Sequence, residues 1–89
     1  MVQGTTKSGF KFEVNEEAVK SMEFIDLVAE LDEKPMLIGK VVKFMLGDEQ
    51  KEKLYKHVRG DKKYTPAKDV DKEVNEIFDI INEVPETKN

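Results

Sequence analysis

Pro35-Met36-Leu37-Ile38-Gly39-Lys40-Val41-Val42-Lys43-Phe44-Met45-Leu46-Gly47-Asp48 is the stretch that decides how this 89-residue chain folds. Proline suits the first position of a helix and glycine the position just past its end. The spacing therefore predicts a helix over 35–46. At the helical angle between residues, Leu37, Ile38, Val41, Val42, Phe44, Met45 and Leu46 cover roughly 200° of the circumference. Only Lys40, Lys43 and Gly39, with Met36 at the margin, mark a polar side. A stripe that wide needs neighbours on more than one side. It is either the central helix of the fold or a helix with part of its face reserved for a partner or a second copy. Both can hold at once. Met36, Leu37, Val41, Phe44 and Met45 are the candidate protein-binding residues, because methionines suit adaptable surfaces.

Downstream, Asp48 offers an N-cap for a helix over 48–59, which Gly60 ends. Its apolar stripe is thin, with Leu54, Tyr55 and Val58, and its other faces are basic. Thr65-Pro66 opens a last helix over 66–83 by the same cap-then-proline logic. Val70, Val74, Ile77, Phe78 and Ile81 form its stripe. Pro85 stops it, and the tail over 84–89 is expected to fray.

Upstream, Phe10, Phe12 and Val14 alternate with Lys11 and Glu13, the period of a half-buried strand. Lys7-Ser8-Gly9 is turn chemistry, and residues 2–6 supply a partner strand that Gly4 weakens. This predicts a β-hairpin over 2–14. Asn15 can cap a helix over 16–33, with Glu16 and Glu17 in its first turn and Ser21 able to reset it. Phe24, Leu27, Val28 and Leu31 form its apolar face. Pro35 disfavours helix at Lys34. The expected fold is α+β and mainly helical: one domain with an N-terminal hairpin and about four helices.

The composition is 38% apolar and 38% charged. A chain this short hides only about 60% of its unfolded surface. Its stability is then modest and can rise with self-association or a partner. Charge is sorted along the chain. Residues 1–34 carry four Lys/Arg against eight Asp/Glu, residues 35–68 nine against four, and residues 69–89 two against seven.

Reaction chemistry is sparse. With no cysteine, disulfides and thiolate zinc sites are excluded, and an intracellular setting is favoured. The lone histidine, His57, lies among lysines and reads as a surface residue. Ser8 lies in a turn and Ser21 at a helix start, where hydroxyls commonly satisfy the backbone. Asp69, Asp71 and Glu73 have the opening spacing of a calcium loop, but Val74 stands where that loop needs glycine. No glycine-rich phosphate loop exists, and Arg59-Gly60-Asp61 reads as a helix end and loop. No catalytic, cofactor-binding or metal-binding residue is expected, and so no enzyme. No apolar run approaches the roughly 18 residues of a membrane span. Met1-Val2-Gln3-Gly4 does not open a signal peptide.

One segment suits phosphate. Lys51, Lys53, Lys56, Arg59, Lys62 and Lys63 fall close together with Tyr55 and Tyr64 interleaved. This makes a small nucleic-acid-binding regulator using residues 51–64 the alternative reading. The acidic whole, and residues 69–83 folding back over the patch, weigh against it.

The order of features resembles a known family. Thr6-Lys7-Ser8-Gly9-Phe10-Lys11-Phe12-Glu13-Val14 is followed by an acidic helix. Then come Val41-Val42-Lys43-Phe44-Met45-Leu46-Gly47-Asp48-Glu49-Gln50, Leu54-Tyr55-Lys56-His57-Val58-Arg59 and a final Val/Ile/Phe helix. Over about residues 5–83 this is similar to the tail assembly chaperones of long-tailed phages and prophages of Gram-positive bacteria. The likeness is one of overall pattern, with no decisive motif. It implies a non-enzymatic protein that binds the tape measure protein and keeps it soluble while tail tube subunits assemble around it. It also implies a homo-oligomer acting in the host cytoplasm and absent from the mature virion, with the tail tube protein as a further partner. A longer frameshifted product belongs to the family's pattern. No catalytic residue carries over.

Overall fold

The computed structural model describes residues 1–83. An antiparallel hairpin, β1 (Val2–Thr5) and β2 (Lys11–Val14), precedes four helices: α1 (Glu16–Val19), α2 (Met22–Glu33), α3 (Ile38–Arg59) and α4 (Ala67–Glu83). This is the α+β, mainly helical small domain that the residue pattern predicts. The tail expected to fray, 84–89, lies outside the described residues.

The hairpin follows its alternation. Val2 pairs with Val14 and Gly4 with Phe12. Val2, Phe12 and Val14 are buried, while Lys11 and Glu13 face out. The turn closes through the Gly9 N–H to the Thr6 carbonyl at 2.9 Å, with Gly9 at φ 96°, a conformation that glycine adopts freely. Gly4 has a packing role. A Cβ there would lie 2.7 Å from Phe12 Cζ and 3.0 Å from Ile80 Cγ2. Its bare backbone lets the Phe12 ring and α4 approach β1 closely.

The expected helix over 16–33 is two helices. The Asn15 side chain accepts from the Glu17 N–H at 2.8 Å and starts α1. The Ser21 hydroxyl then donates to the Ala18 carbonyl at 2.7 Å and accepts from the Phe24 N–H at 3.2 Å. It closes one helix and opens the next, because Ser is at once a donor to the last carbonyls and an acceptor for the first N–H groups.

The helix expected over 35–46 begins as a 3-10 turn, Pro35–Leu37, and turns α-helical at Ile38. Lys34 sits at φ −131°, ψ 84°, the extended conformation that a following proline imposes. α3 is interrupted at Gly47, which has φ 83° and ψ 168°, a region essentially reserved for glycine. A straight helix would hold Gly39 and Tyr55 about 24 Å apart. Instead a Cβ on Gly39 would meet the Tyr55 hydroxyl at 3.3 Å. α3 is therefore two arms, 38–46 and 48–59, folded back on each other, which matches the two helices read on either side of Gly47. Asp48, expected to cap the second arm, instead lies 3.7 Å from Lys43 Nζ.

α4 starts at Ala67, with the Pro66 carbonyl accepting from the Asp69 and Val70 N–H groups at 3.1 and 3.2 Å. The Thr65 hydroxyl does not cap it. That hydroxyl donates to the Tyr55 carbonyl at 3.3 Å and ties the connecting loop to α3. α3 is the central element, packed against α1, α2, α4 and β2. Val41, Val42 and Leu54 of α3 are fully buried, together with Val14, Val74 and Ile77.

Candidate protein-binding surface

The five candidate binding residues do not form one surface. Val41 and Met45 are buried, at 0% and 3% exposure, and belong to the core. Leu37 is half-buried in the 3-10 turn. Only Met36, 87% exposed, and Phe44, 40% exposed, reach solvent. Most of the wide stripe of the first arm is consumed inside the molecule, because neighbouring elements cover it from several directions. Val41 and Met45 are therefore core residues and offer no free surface in this structure.

The exposed apolar surface is centred on α2 instead. The Phe24 ring lies between Phe44, at 5.7 Å between centroids, and Phe78, at 5.9 Å and edge-on at 79°. Phe24 itself is buried. α2 and α4 each pack on α3 more extensively than on each other, so a cleft runs between them. At one end Ile25 and Val28 of α2 face Phe78 and Ile81 of α4 across a recess of about 260 Å³, closed by Val19 and Asn82. Further along the same helix pair a second recess is lined by Leu31 and Asp32 of α2, by Lys68 and Asp71 of α4, and by Pro35 and Ile38. Ile25 is 50% exposed at its edge, and Met22 is also exposed.

Ile25 escapes a reading based on Phe24, Leu27, Val28 and Leu31, because it stands at the margin of that stripe. The usable signal is that the apolar arc of α2 continues past Val28 to Ile25 and Met22. That excess has no counterpart on a helix buried along one side only. The charges of α2 are all acidic, five Asp/Glu with no Lys/Arg.

A second cluster joins residues far apart in sequence. Ser8 Oγ donates to Glu73 Oε2 at 2.9 Å and lies 2.9 Å from His57 Nε2. Thr6 Oγ1 is 3.1 Å from the same oxygen. The Phe10 ring packs on His57 at 5.6 Å. With the Ser8 proton given to Glu73, the Ser8 lone pairs are left to His57 and Thr6 as donors. In a serine–histidine–acid relay the acid holds the far nitrogen of the imidazole. Here the acid holds the serine. The cluster therefore pins the hairpin turn to the second arm of α3 and to α4, with the Lys7 N–H bonded to Glu76 beside it. Ser8, expected to satisfy backbone, bonds side chains, and His57 is exposed but engaged. Glu73 is buried, and its Oε1 has no hydrogen-bond partner.

Asp69, Asp71 and Glu73 diverge. Asp69 lies 3.7 Å from Lys62, Asp71 accepts weakly from Asn75, and Glu73 takes Ser8. Among the described residues no group of three or more His, Asp or Glu is placed to hold a metal ion. On the basic segment, Lys51 Nζ lies over the Tyr55 ring and Lys63 Nζ over the exposed Tyr64 ring, at 5.6 and 5.5 Å. Among the described residues no helix is long and apolar enough to cross a membrane. Comparison with family models, with curated proteins and with solved structures finds no match to this chain.

Proposed function

We propose that this chain is a non-enzymatic assembly chaperone that holds an apolar helical segment of another protein. The order of its features favours the tape measure protein of a long-tailed phage as the client. The observation that carries the reading is the cleft beside α2, where Ile25 stands half exposed against Phe78 and Ile81. A small domain that leaves large apolar side chains open, while its core is already closed, has surface suited to a partner. On this reading the protein works in the host cytoplasm before the virion is complete, with self-association as part of its action and the tail tube protein as a further contact.

Co-expression tests it. The tape measure protein of the same genome should move from the insoluble to the soluble fraction and co-elute with this chain in gel filtration. A client that stays insoluble, with no complex, removes the proposal.

The alternative, a nucleic-acid-binding regulator, draws on one observation: Tyr64 is exposed beside Lys62 and Lys63. Such a footprint binds phosphate with a steep salt dependence. Absence of RNA and DNA binding at about 50 mM salt ends that alternative.

A further inference from the structure

We infer that the cleft between α2 and α4 takes an amphipathic helix whose apolar stripe is flanked by lysine or arginine. This rests on the chaperone reading and specifies the chemistry of its client. The cleft has two halves with different character. One is apolar, with Ile25 and Val28 facing Phe78 and Ile81. The other mixes Leu31, Pro35 and Ile38 with Asp32 and Asp71 from opposite walls, Lys68 being the one cation in its lining.

Both walls belong to acidic helices. α2 carries five Asp/Glu and no Lys/Arg, and α4 carries six Asp/Glu against two lysines. The recess on the other flank of α2 is different, because Lys40 and Lys43 of α3 line it with Leu27 and Phe44. The lining between α2 and α4 thus carries two carboxylates and one lysine beside its apolar residues, whereas the recess on the other flank carries two lysines and no acid. α2 is 12 residues long, so a matching client segment spans about 18 Å. Apolar residues at helical spacing fill such a groove, and cations along their flanks meet the acidic walls. A client helix flanked by Glu would place like charges across a partly desolvated interface.

Fluorescence anisotropy decides the matter with two labelled peptides of about 18 residues, long enough to span the cleft. One is an amphipathic leucine–lysine helix; the other has the same pattern with glutamate for lysine. The leucine–lysine peptide should bind at least about tenfold more tightly, with the difference shrinking as salt rises from about 50 to about 300 mM.

Ile25→Glu should weaken that binding about tenfold or more, the scale of one buried anchor. The pair Asp32→Lys and Asp71→Lys, both at exposed positions, should invert the preference between the two peptides. The pair Glu49→Lys and Glu52→Lys, on the second arm of α3, makes the same change in net charge and should leave it unchanged. Circular dichroism confirms that each variant is folded. Equal binding of both peptides overturns the inference, as does the same response to both pairs of charge reversals. A soluble client complex that survives Ile25→Glu and the Asp32/Asp71 pair would keep the chaperone function and remove this site. Selective peptide binding without client rescue would keep the site and remove the tape measure protein as its ligand.

Discussion

The side-chain amide of Gln50 hydrogen-bonds both backbone groups of Glu13: Oε1 accepts from the Glu13 N–H and Nε2 donates to the Glu13 carbonyl, each at 2.8 Å. An amide presents a donor and an acceptor side by side, as a peptide does. Gln50 therefore covers the outer edge of β2 at Glu13. Nε2 also donates to the Leu46 carbonyl at 2.9 Å, one of the helix carbonyls exposed by the bend at Gly47. One side chain ties the bend to the hairpin. Gln50→Ala should cost about 1–2 kcal/mol, since three bonds are lost but the freed groups are partly rehydrated. A urea midpoint measures this, and hydrogen exchange should show the Glu13 amide losing protection before other strand amides.

Gly47→Ala should destabilise by about 1–3 kcal/mol through the backbone alone. A Cβ there meets nothing within 4 Å, so the strain lies in φ 83°. Gly39→Ala is the informative contrast. Gly39 is helical, and its added Cβ meets only the Tyr55 hydroxyl at 3.3 Å and Lys51 Nζ at 3.7 Å. Lys51 Nζ is the far end of a flexible side chain, and the Tyr55 hydroxyl needs to give by only a few tenths of an ångström. Alanine there should stabilise by up to about 1 kcal/mol. Thermal unfolding of the two variants should move in opposite directions.

Gly4→Ala should cost about 1–3 kcal/mol, the range for forcing atoms into a packed core. Phe12 and Ile80 crowd that position from two elements. Combining Gly4→Ala with Ile80→Ala, which removes the crowding Cγ2, should cost less than the two separate losses added. Additive losses in a double-mutant cycle would contradict the packing described.

Ser8→Ala should cost about 1–3 kcal/mol, because it strips the last partner from a buried carboxylate that already has one orphaned oxygen. Glu73→Leu should cost less than Ser8→Ala, and the double variant should be more stable than Ser8→Ala alone, since an apolar side chain at 73 needs no partner. Urea unfolding of the three proteins tests the order.

Much of this architecture is legible in residue order. Phe10, Phe12 and Val14 announce the hairpin, Asn15 and Ser21 cap the helices they precede, and Gly47 breaks α3 where the pattern places a helix end. Each of these effects is local. The Ser8–Glu73 bond is not legible, because it joins residues 65 positions apart and depends on where α4 docks. The candidate surface was legible only in kind. Apolar excess on the first arm of α3 marked burial rather than binding, since Val41 and Met45 are covered by other elements. The cleft exists because α2 and α4 pack on α3 more extensively than on each other, which periodicity within either helix does not encode.

Amide chemical-shift mapping of the labelled protein during titration with an apolar helical client segment tests the central claim most directly. The largest changes should fall on Ile25, Val28, Phe78 and Ile81 and continue along the cleft to Asp32 and Asp71. Changes confined to Lys51–Tyr64, or to Leu27, Lys40 and Phe44 on the far flank of α2, would contradict it.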